Sequence, residues 1–192
     1  MVRVSQREAL AFCRWLSQKI DAPVSLPTEA QWEYACRAGT SGPLSYGDLN
    51  ADFSALANVA DATIRQLAYD TDGRYTVDLV PRDDRFNDNA LVTAEAGSYK
   101  PNAWGLHDMH GNVWEWTRSA CQAYPYRDDD GRNQPAASAR CAVRGGSWYD
   151  RPRRCRSGFR LSYPAWQEVY NVGFRIVCDL SERQTPGAHA AK

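Results

Sequence analysis

The sequence predicts an α+β fold in which the helices come first and a sheet of short strands follows. Two amphipathic helical patterns open the chain, apolar runs of strand length appear only after Pro101, and a segment of weak periodicity lies between them. At 192 residues the chain has the length of one domain. We assign this domain to residues 1–179 and expect the small and polar residues 180–192 to be a flexible tail.

The first helix is predicted over residues 5–20, where apolar side chains recur every three or four positions. Ser5 and Glu8 have the spacing of a capping box, in which two side chains satisfy backbone N–H groups of the first turn. A second helix is predicted to begin at Thr28, which has Gln31 three residues later, and to stop at Gly39. Two short amphipathic helices therefore open the domain.

The segment from residue 42 to residue 96 is rich in Asp, Asn, Gly and Pro and has little sustained apolar pattern. A loop of this length is uncommon unless something fixes it, such as a bound ion. Beyond Pro101, the runs at 113–117, 142–148 and 172–177 are predicted to be strands separated by turns.

The charge balance gives no electrostatic case for nucleic acid or an anionic membrane as a partner. The 23 basic and 23 acidic residues cancel, and no long run of like charge occurs. No stretch approaches the roughly 20 apolar residues that a membrane span needs, and no export signal opens the sequence. We therefore expect a soluble protein without a membrane span, either cytoplasmic or surface-associated.

The six cysteines form no close CxxC pair and do not lie beside histidines at zinc-finger spacing, so a metal–thiolate site is not predicted. Disulfides remain open, because they require an oxidising compartment or a thermophile's cytosol. Seven Trp and ten Tyr provide side chains that combine apolar bulk with a polar group. Such a composition is typical of a core with irregular loops or of a binding surface.

Four motifs occur in a fixed order. They are LPTEAQWEYACRAG at 26–39, GLHDMHGNVWEW at 105–116, RGGSW at 144–148 and VGFR at 172–175. Together they resemble the formylglycine-generating-enzyme family, also called the sulfatase-modifying-factor domain, over residues 4–178. The resemblance implies an irregular C-type-lectin-like fold with two N-terminal helices, short antiparallel strands and long loops. The family's N-terminal part is not matched, so we interpret the chain as a compact version or a fragment.

The resemblance also implies two structural calcium sites, because this family fold carries bound calcium. The first site is expected to use the carboxylates of Asp108 and Glu115 and the carbonyls of Gly111 and Val113. The second is expected to use Asn58 and Asp88 with the carbonyls of Val59 and Ala90. Asp and Asn in loops are more often turn formers than ligands, so the calcium expectation rests on the resemblance.

The residues for the family's oxidase chemistry are incomplete. Members that oxidise a sulfatase cysteine to formylglycine hold copper(I) with two thiolates spaced CxxxxC after the GGS motif. Here Cys155 is present, but the positions five before and five after it are Asp150 and Arg160. One thiolate cannot make a two-coordinate copper site, so copper is not expected.

The cysteines are instead candidates for disulfides. The resemblance implies a pair of Cys36 with Cys155 and a pair of Cys13 with Cys178. Cys121 and Cys141 flank a polar insertion and are candidates for a third bridge that closes it. The alternative for all three pairs is buried free thiols.

Histidine-bound iron, used by the ergothioneine-pathway sulfoxide synthases of the same fold, is not expected either. His107 and His110 lie in the calcium-type turn, and His189 lies in the tail, so they form no iron-binding triad.

Residues 144–175 resemble a non-catalytic branch of the family, the variable proteins of diversity-generating retroelements. That branch keeps its scaffold while a C-terminal segment is diversified between RGGSW, a Cys-Arg-Ser element and a GFR strand. The ligand-binding positions implied here are Tyr149, Asp150, Arg151, Arg154, Gly158, Phe159, Leu161, Ser162, Tyr163, Trp166, Gln167, Glu168, Val169 and Tyr170.

A codon argument supports this interpretation. Randomising the adenines of an asparagine codon ending in C yields the residue types at eleven of these fourteen positions. Trp166, Gln167 and Glu168 require other template codons, and Asn171 matches an unmutated one. Tyr, Trp, Phe and Arg, which are frequent in the set, dominate binding surfaces. The alternative is that about half of the aromatic side chains pack on the domain's own loops.

The sequence thus predicts a non-catalytic, calcium-stabilised variable protein that binds a protein or a glycan through this segment. The alternative is a formylglycine-generating oxidase or a related diverged enzyme, and a third interpretation is a stand-alone scaffold without a small-molecule site.

Overall fold

The structure, a computed structural model, describes residues 2–68, 72–74, 78 and 80–178. The tail predicted at 180–192 lies outside these residues. The described part contains two α-helices, α1 (Gln6–Ile20) and α2 (Glu29–Arg37), and short 3-10 turns at Ala62–Ala68 and Pro152–Arg154. Its strands are β1 (Val24–Ser25), β2 (Trp114–Ala120), β3 (Arg140–Arg144), β4 (Leu161–Pro164), β5 (Val172–Phe174) and β6 (Val177–Cys178). No described helix is both long and apolar enough to cross a membrane.

Both helices begin at the capping residues that the sequence indicates. The Ser5 hydroxyl accepts the Glu8 N–H, and the Glu8 carboxylate accepts the Ser5 N–H at 2.8 Å. Thr28 and Gln31 form the equivalent box at the start of α2. These reciprocal bonds satisfy orphan N–H groups of the first turn, so local sequence alone fixes where each helix starts.

A four-stranded sheet in the order β4-β3-β2-β5 forms the centre of the domain. The pairs β2–β3 and β3–β4 are antiparallel, whereas β5 runs parallel to β2 with Trp114 opposite Val172. After β4 the chain crosses to the far side of the sheet and enters it beside β2 instead of forming a hairpin. The predicted α+β fold is confirmed, with a mixed sheet in place of a purely antiparallel one. A separate antiparallel pair joins β1 to β6.

The three predicted strand runs have other bounds in the structure. The run at 113–117 forms β2, which begins at Trp114 and continues to Ala120. The run at 142–148 ends as a strand at Arg144, because Gly145 and Gly146 have φ of 98° and 79° and turn the chain. The run at 172–177 divides into β5 and β6, which belong to different sheets.

The long segment at 42–96 has an apolar core of its own. Leu44, Phe53, Val59 and Phe86 are buried together and pack against Cys155. The main core lies between α1 and the sheet, where Leu26, Trp116, Val143 and Val172 are among the buried side chains. Packing therefore holds much of the long loop, in addition to anything an ion contributes.

Candidate functional site

The four sequence motifs meet in one buried polar network. Arg144 of β3 is fully buried and donates to Glu29 at 2.7 Å and to Glu33 at 2.5 Å, both on α2. Glu115 of β2 accepts from Trp32 at 2.6 Å and from Arg175 at 2.5 and 2.7 Å. A buried charge is costly unless it is paired and hydrogen-bonded, so each motif requires the others.

The turn after β3 closes over Cys155. A Cβ atom added to Gly146 would lie 2.3 Å from the Cys155 sulfur, so only glycine allows this approach. The turn carries Ser147 and Asp150 inward, and Trp148 and Tyr149 toward the surface.

Asp150 is buried beneath this turn, with 3% of its surface exposed. Its Oδ2 accepts from the Trp114 indole N–H at 2.7 Å and from the Ser147 hydroxyl at 2.6 Å, and its Oδ1 pairs with Arg154 at 2.9 Å. In this structure the Asp150 carboxylate is enclosed and partnered, so its predicted contact with a ligand would require the turn to open. It occupies the position five residues before Cys155 at which a copper-binding thiolate is expected in the oxidases.

Cys155 is also buried, and its sulfur lies 3.8 Å from the carbonyl oxygen of Asp150. Burial raises the pKa of this thiol well above its usual range. Burial likewise raises the pKa of Cys36 to about 12, and the Cys36 sulfur lies 3.6 Å from the His110 ring. A thiol that stays protonated is a poor nucleophile and a poor metal ligand.

All six cysteines are free thiols in the structure. The pairs of Cys36 with Cys155 and of Cys13 with Cys178 remain predictions. Cys121 and Cys141 come to adjacent positions of two paired strands, since Ala120 lies opposite Cys141. That third pairing remains a prediction as well.

Three aromatic rings lie together where the 145–150 turn meets the end of the predicted binding segment. Trp148, Tyr149 and Tyr170 form three edge-to-face contacts with ring-centroid distances of 5.4, 6.1 and 6.0 Å. Tyr149 is 36% exposed and Tyr170 is 46% exposed. We call these three side chains the aromatic surface. Rings that support one another in this way offer large contact area at little entropic cost.

The structure divides the other predicted contact positions by exposure. Five further positions are exposed, as Tyr149 and Tyr170 are: Arg151, Arg154, Gly158, Trp166 and Glu168. Those that are half-buried are Phe159, Leu161, Ser162, Tyr163 and Gln167. Val169 is buried in the main core, and its carbonyl accepts the Val172 N–H. Its side chain packs inside the domain in this structure, and its predicted contact with a ligand stays a prediction.

The sequence places Trp148 in the RGGSW motif and does not indicate that it completes the aromatic surface. The predicted contact positions also omit Arg153 and Arg156, which are exposed on the same turn as Arg151 and Arg154. The concentration of arginine at 151–156 is visible in the sequence and is a signal that could have found them.

The first expected calcium set fits in part. Asp108, Val113 and Glu115 line one cleft of about 590 Å³. Asp108 accepts the Gly97 N–H at 2.7 Å through Oδ2, while its buried Oδ1 has no hydrogen-bond partner. An unpaired buried carboxylate oxygen suits a hard cation. Glu115 is paired instead: its Oε2 accepts from Trp32 and Arg175 and its Oε1 accepts from Arg175, so a calcium ion there would compete with a guanidinium.

The second expected set is similar. Asn58 is fully buried, donates to the Val92 carbonyl at 2.7 Å, and leaves its own Oδ1 without a partner. Asp88 accepts from the Ala90 N–H and the Tyr99 hydroxyl, both at 2.8 Å. No group of three or more His, Cys, Asp or Glu side chains is placed to hold a metal among the described residues. Backbone carbonyls would therefore have to complete either site.

This fold and motif network define a domain of the formylglycine-generating-enzyme type. A family model described as a sulfatase-modifying factor enzyme 1-like domain matches residues 1–180, and the chain belongs to this family.

The relatives include proteins named as formylglycine-generating enzymes and proteins named as inactive ones. The formylglycine-generating enzyme of Mycobacterium tuberculosis is 30% identical over 93% of this chain and 57% of its own length. The inactive C-alpha-formylglycine-generating enzyme 2 of Bos taurus is 30% identical over 97% of this chain and 52% of its own length. The chain thus spans about half the length of these curated relatives.

Solved structures share the fold. PvdO from Pseudomonas aeruginosa superposes with a TM-score of 0.71 at 26% identity, over 93% of this chain and 61% of its own. Treponema denticola variable protein 1 superposes with a TM-score of 0.69 at 22% identity, over 93% and 70%. At that identity the second likeness concerns the fold alone.

Proposed function

We propose that this chain is a non-catalytic ligand-binding domain on a formylglycine-generating-enzyme scaffold, and that the aromatic surface contacts a protein or glycan ligand. The observation that carries the proposal is the cluster of Trp148, Tyr149 and Tyr170, whose rings contact one another while the two tyrosines remain exposed. Residues of these types form the energetic centres of binding surfaces. A folded domain gains little from leaving such rings in water.

The non-catalytic part of the proposal is supported by the surroundings of Cys155. A copper(I) site needs a second thiolate close by, and the position five residues earlier holds Asp150, whose carboxylate three neighbours already satisfy. A relative named as an inactive enzyme shows 30% identity to this chain, so loss of activity within this scaffold has a named precedent.

The more specific form of the proposal is a variable protein of a diversity-generating retroelement. Its support is the codon pattern of residues 149–170 and the exposure of seven of the fourteen positions. Asp150 and Val169 are removed from the variable set, because a diversified position must tolerate many side chains and a buried, fully bonded one cannot. A near-copy of the coding segment for residues 144–175, differing only at adenines and adjacent to a reverse-transcriptase gene, is the expected genomic finding.

Calcium belongs to the proposal as a structural ion. Asp108 and Asn58 would each contribute a buried oxygen that lacks a hydrogen-bond partner, and carbonyls of neighbouring residues would supply the rest. A calcium ion at either site would stabilise the 42–96 loop and would take no part in ligand contact.

The binding proposal is tested with arrays of purified proteins and of glycans, probed with the full chain and with a Tyr149→Ala/Tyr170→Ala variant. We expect at least one ligand that the chain retains and the variant loses. Trp104→Ala is the matched control, because Trp104 is 47% exposed and lies outside the aromatic surface. Equal retention by the double variant would contradict the proposal.

A diverged enzyme is the second candidate, and the comparisons favour it: several relatives at about this identity are named as enzymes. The chain spans about half the length of these relatives. Because Cys155 has no second cysteine at CxxxxC spacing, any reaction would have to use other residues of this chain. Turnover of a cysteine-containing substrate by this chain is the observation that would establish it.

A further inference from the structure

The exposed turn beside the aromatic surface carries a concentrated positive charge. Arg151, Arg153, Arg154 and Arg156 are all exposed around the 3-10 turn Pro152–Arg154, and we call them the basic turn. Pro152 is buried and anchors the turn, which leaves the arginines directed outward. Residues 149–170 contain five arginines and two acidic residues, while the chain as a whole has a net charge of zero.

Most of this charge lacks an internal partner. Arg154 pairs with Asp150 at 2.9 Å and lies over the Phe159 ring at 5.7 Å. Arg156 donates to the Arg153 carbonyl at 2.7 Å. Among the described residues, no carboxylate lies within 4.0 Å of the guanidinium of Arg151, Arg153 or Arg156, although Arg151 is near enough to Asp83 to act on it electrostatically. Three guanidinium groups therefore lie exposed on the turn that follows Tyr149 in the chain, and Arg154 is near enough to Tyr170 to act on it electrostatically.

We propose that the basic turn and the aromatic surface together recognise an acidic segment of a protein partner, in which several Asp or Glu side chains lie close in sequence. This inference rests on the proposed ligand-binding function and specifies its partner. A guanidinium presents parallel N–H donors that match a carboxylate, and aromatic rings bury the apolar parts of the same segment. Charge complementarity of this kind selects partners and speeds encounter.

An acidic protein segment fits better than nucleic acid. A nucleic-acid surface usually has a basic stripe that follows the phosphates, in a domain with pI above about 9. Here the sequence pI is about 6.8, and the four arginines lie within six residues of the chain. Four charges on one turn match a few carboxylates.

The test is fluorescence anisotropy with the full chain and three labelled probes: a hexaglutamate peptide ending in Tyr, the matching hexalysine peptide, and a single-stranded oligonucleotide. We expect the glutamate peptide alone to bind, with an affinity that weakens several-fold between roughly 50 and 200 mM salt. Arg151→Gln/Arg153→Gln should weaken it about tenfold, the loss of two charge-assisted contacts. Arg127→Gln should leave it unchanged, because Arg127 is also exposed but lies in the polar insertion, paired with Asp129.

Absence of glutamate-peptide binding, or equal binding by the double arginine variant, would overturn the inference. Preferential binding of the oligonucleotide, or of heparin in a competition, would overturn it in favour of another polyanion. If array ligands still depend on Tyr149 and Tyr170 in either case, the proposed function stands and only the acidic partner is wrong. If the tyrosine dependence is lost as well, both fail.

Discussion

At the scale of single residues, Glu115 connects three of the four sequence motifs. Its carboxylate accepts from Trp32 and from Arg175, and 6% of the residue is exposed. The family resemblance assigns it to calcium, whereas in this structure its carboxylate is paired with a guanidinium, which would compete with an ion. In this structure Glu115 holds the guanidinium of Arg175, the residue that follows β5, against β2.

Replacing Glu115 with alanine should lower the free energy of unfolding by roughly 2 kcal/mol, because Arg175 and Trp32 lose their acceptor in a largely buried place. The loss should be the same with calcium and with a chelator. Asp108→Ala is the matched comparison, and it should destabilise only when calcium is present. Urea unfolding of both variants in both buffers measures this. If chelation abolishes the effect of Glu115→Ala, then Glu115 is a calcium ligand after all.

His110 makes stability depend on pH. Burial lowers the pKa of this imidazole to about 4. Its Nδ1 lies 2.7 Å from the Cys155 carbonyl oxygen, and its Nε2 accepts the Ser45 N–H at 3.1 Å. The folded pKa lies below the unfolded value of about 6.5, so the unfolded state takes up the proton first. Stability is therefore lost as pH falls from about 6.5 towards 4.

Lowering the pH from 7 to 4.5 should reduce the free energy of unfolding by about 2 kcal/mol through His110. His110→Gln should show a correspondingly shallower decline of the unfolding free energy over the same interval, even if its stability at pH 7 is lower. Chemical unfolding at a series of pH values gives both slopes. Parallel slopes for the protein and the variant would show that His110 titrates normally.

At the scale of elements, the parts that local sequence controls were predictable. Ser5 and Thr28 mark the starts of α1 and α2, because a capping box is completed within four residues. The parallel entry of β5 was not predictable, since it depends on where the chain goes after β4. Nothing in the residues 172–174 themselves distinguishes the two directions.

The 42–96 loop is held against the turn before β2 by a backbone contact that requires glycine. Gly111 has φ of 85°, and a Cβ there would lie 2.2 Å from the Asn58 carbonyl oxygen. Gly111→Ala should cost at least about 3 kcal/mol, the sum of a left-handed backbone and a steric clash. Gly39→Ala isolates the cost of the left-handed backbone, because Gly39 has φ of 87° and a Cβ there would meet no atom within 4 Å.

Gly39→Ala should therefore cost only roughly 1 kcal/mol. Thermal or urea unfolding of the two variants compares them directly. Equal losses would mean that the loop moves away from the turn at little cost, and that the contact does not fix it.

At the scale of the whole molecule, the motifs located the family and the region of the candidate site, because their residues pair with one another across the fold. Exposure within that region could not be deduced. Asp150 and Val169 alternate with exposed neighbours, and only the packing of the turn and of the main core decides which side chains face inward. The aromatic surface likewise depends on bringing residue 170 next to residue 149.

The whole molecule thus combines a formylglycine-generating-enzyme-type scaffold with a site in which a buried carboxylate stands beside a buried thiol. Under the proposed function this scaffold serves binding. That function concerns the entire domain, since a second thiolate supplied by any other part of the chain would restore copper binding.

The most direct test incubates the full chain with copper(I), oxygen and a cysteine-containing sulfatase-motif peptide, and follows conversion of the cysteine to formylglycine by mass spectrometry. An active formylglycine-generating enzyme under the same conditions is the positive control. We expect no conversion above the rate with copper alone. Catalytic conversion that is lost in a Cys155→Ser variant would contradict it and would make this chain a diverged oxidase.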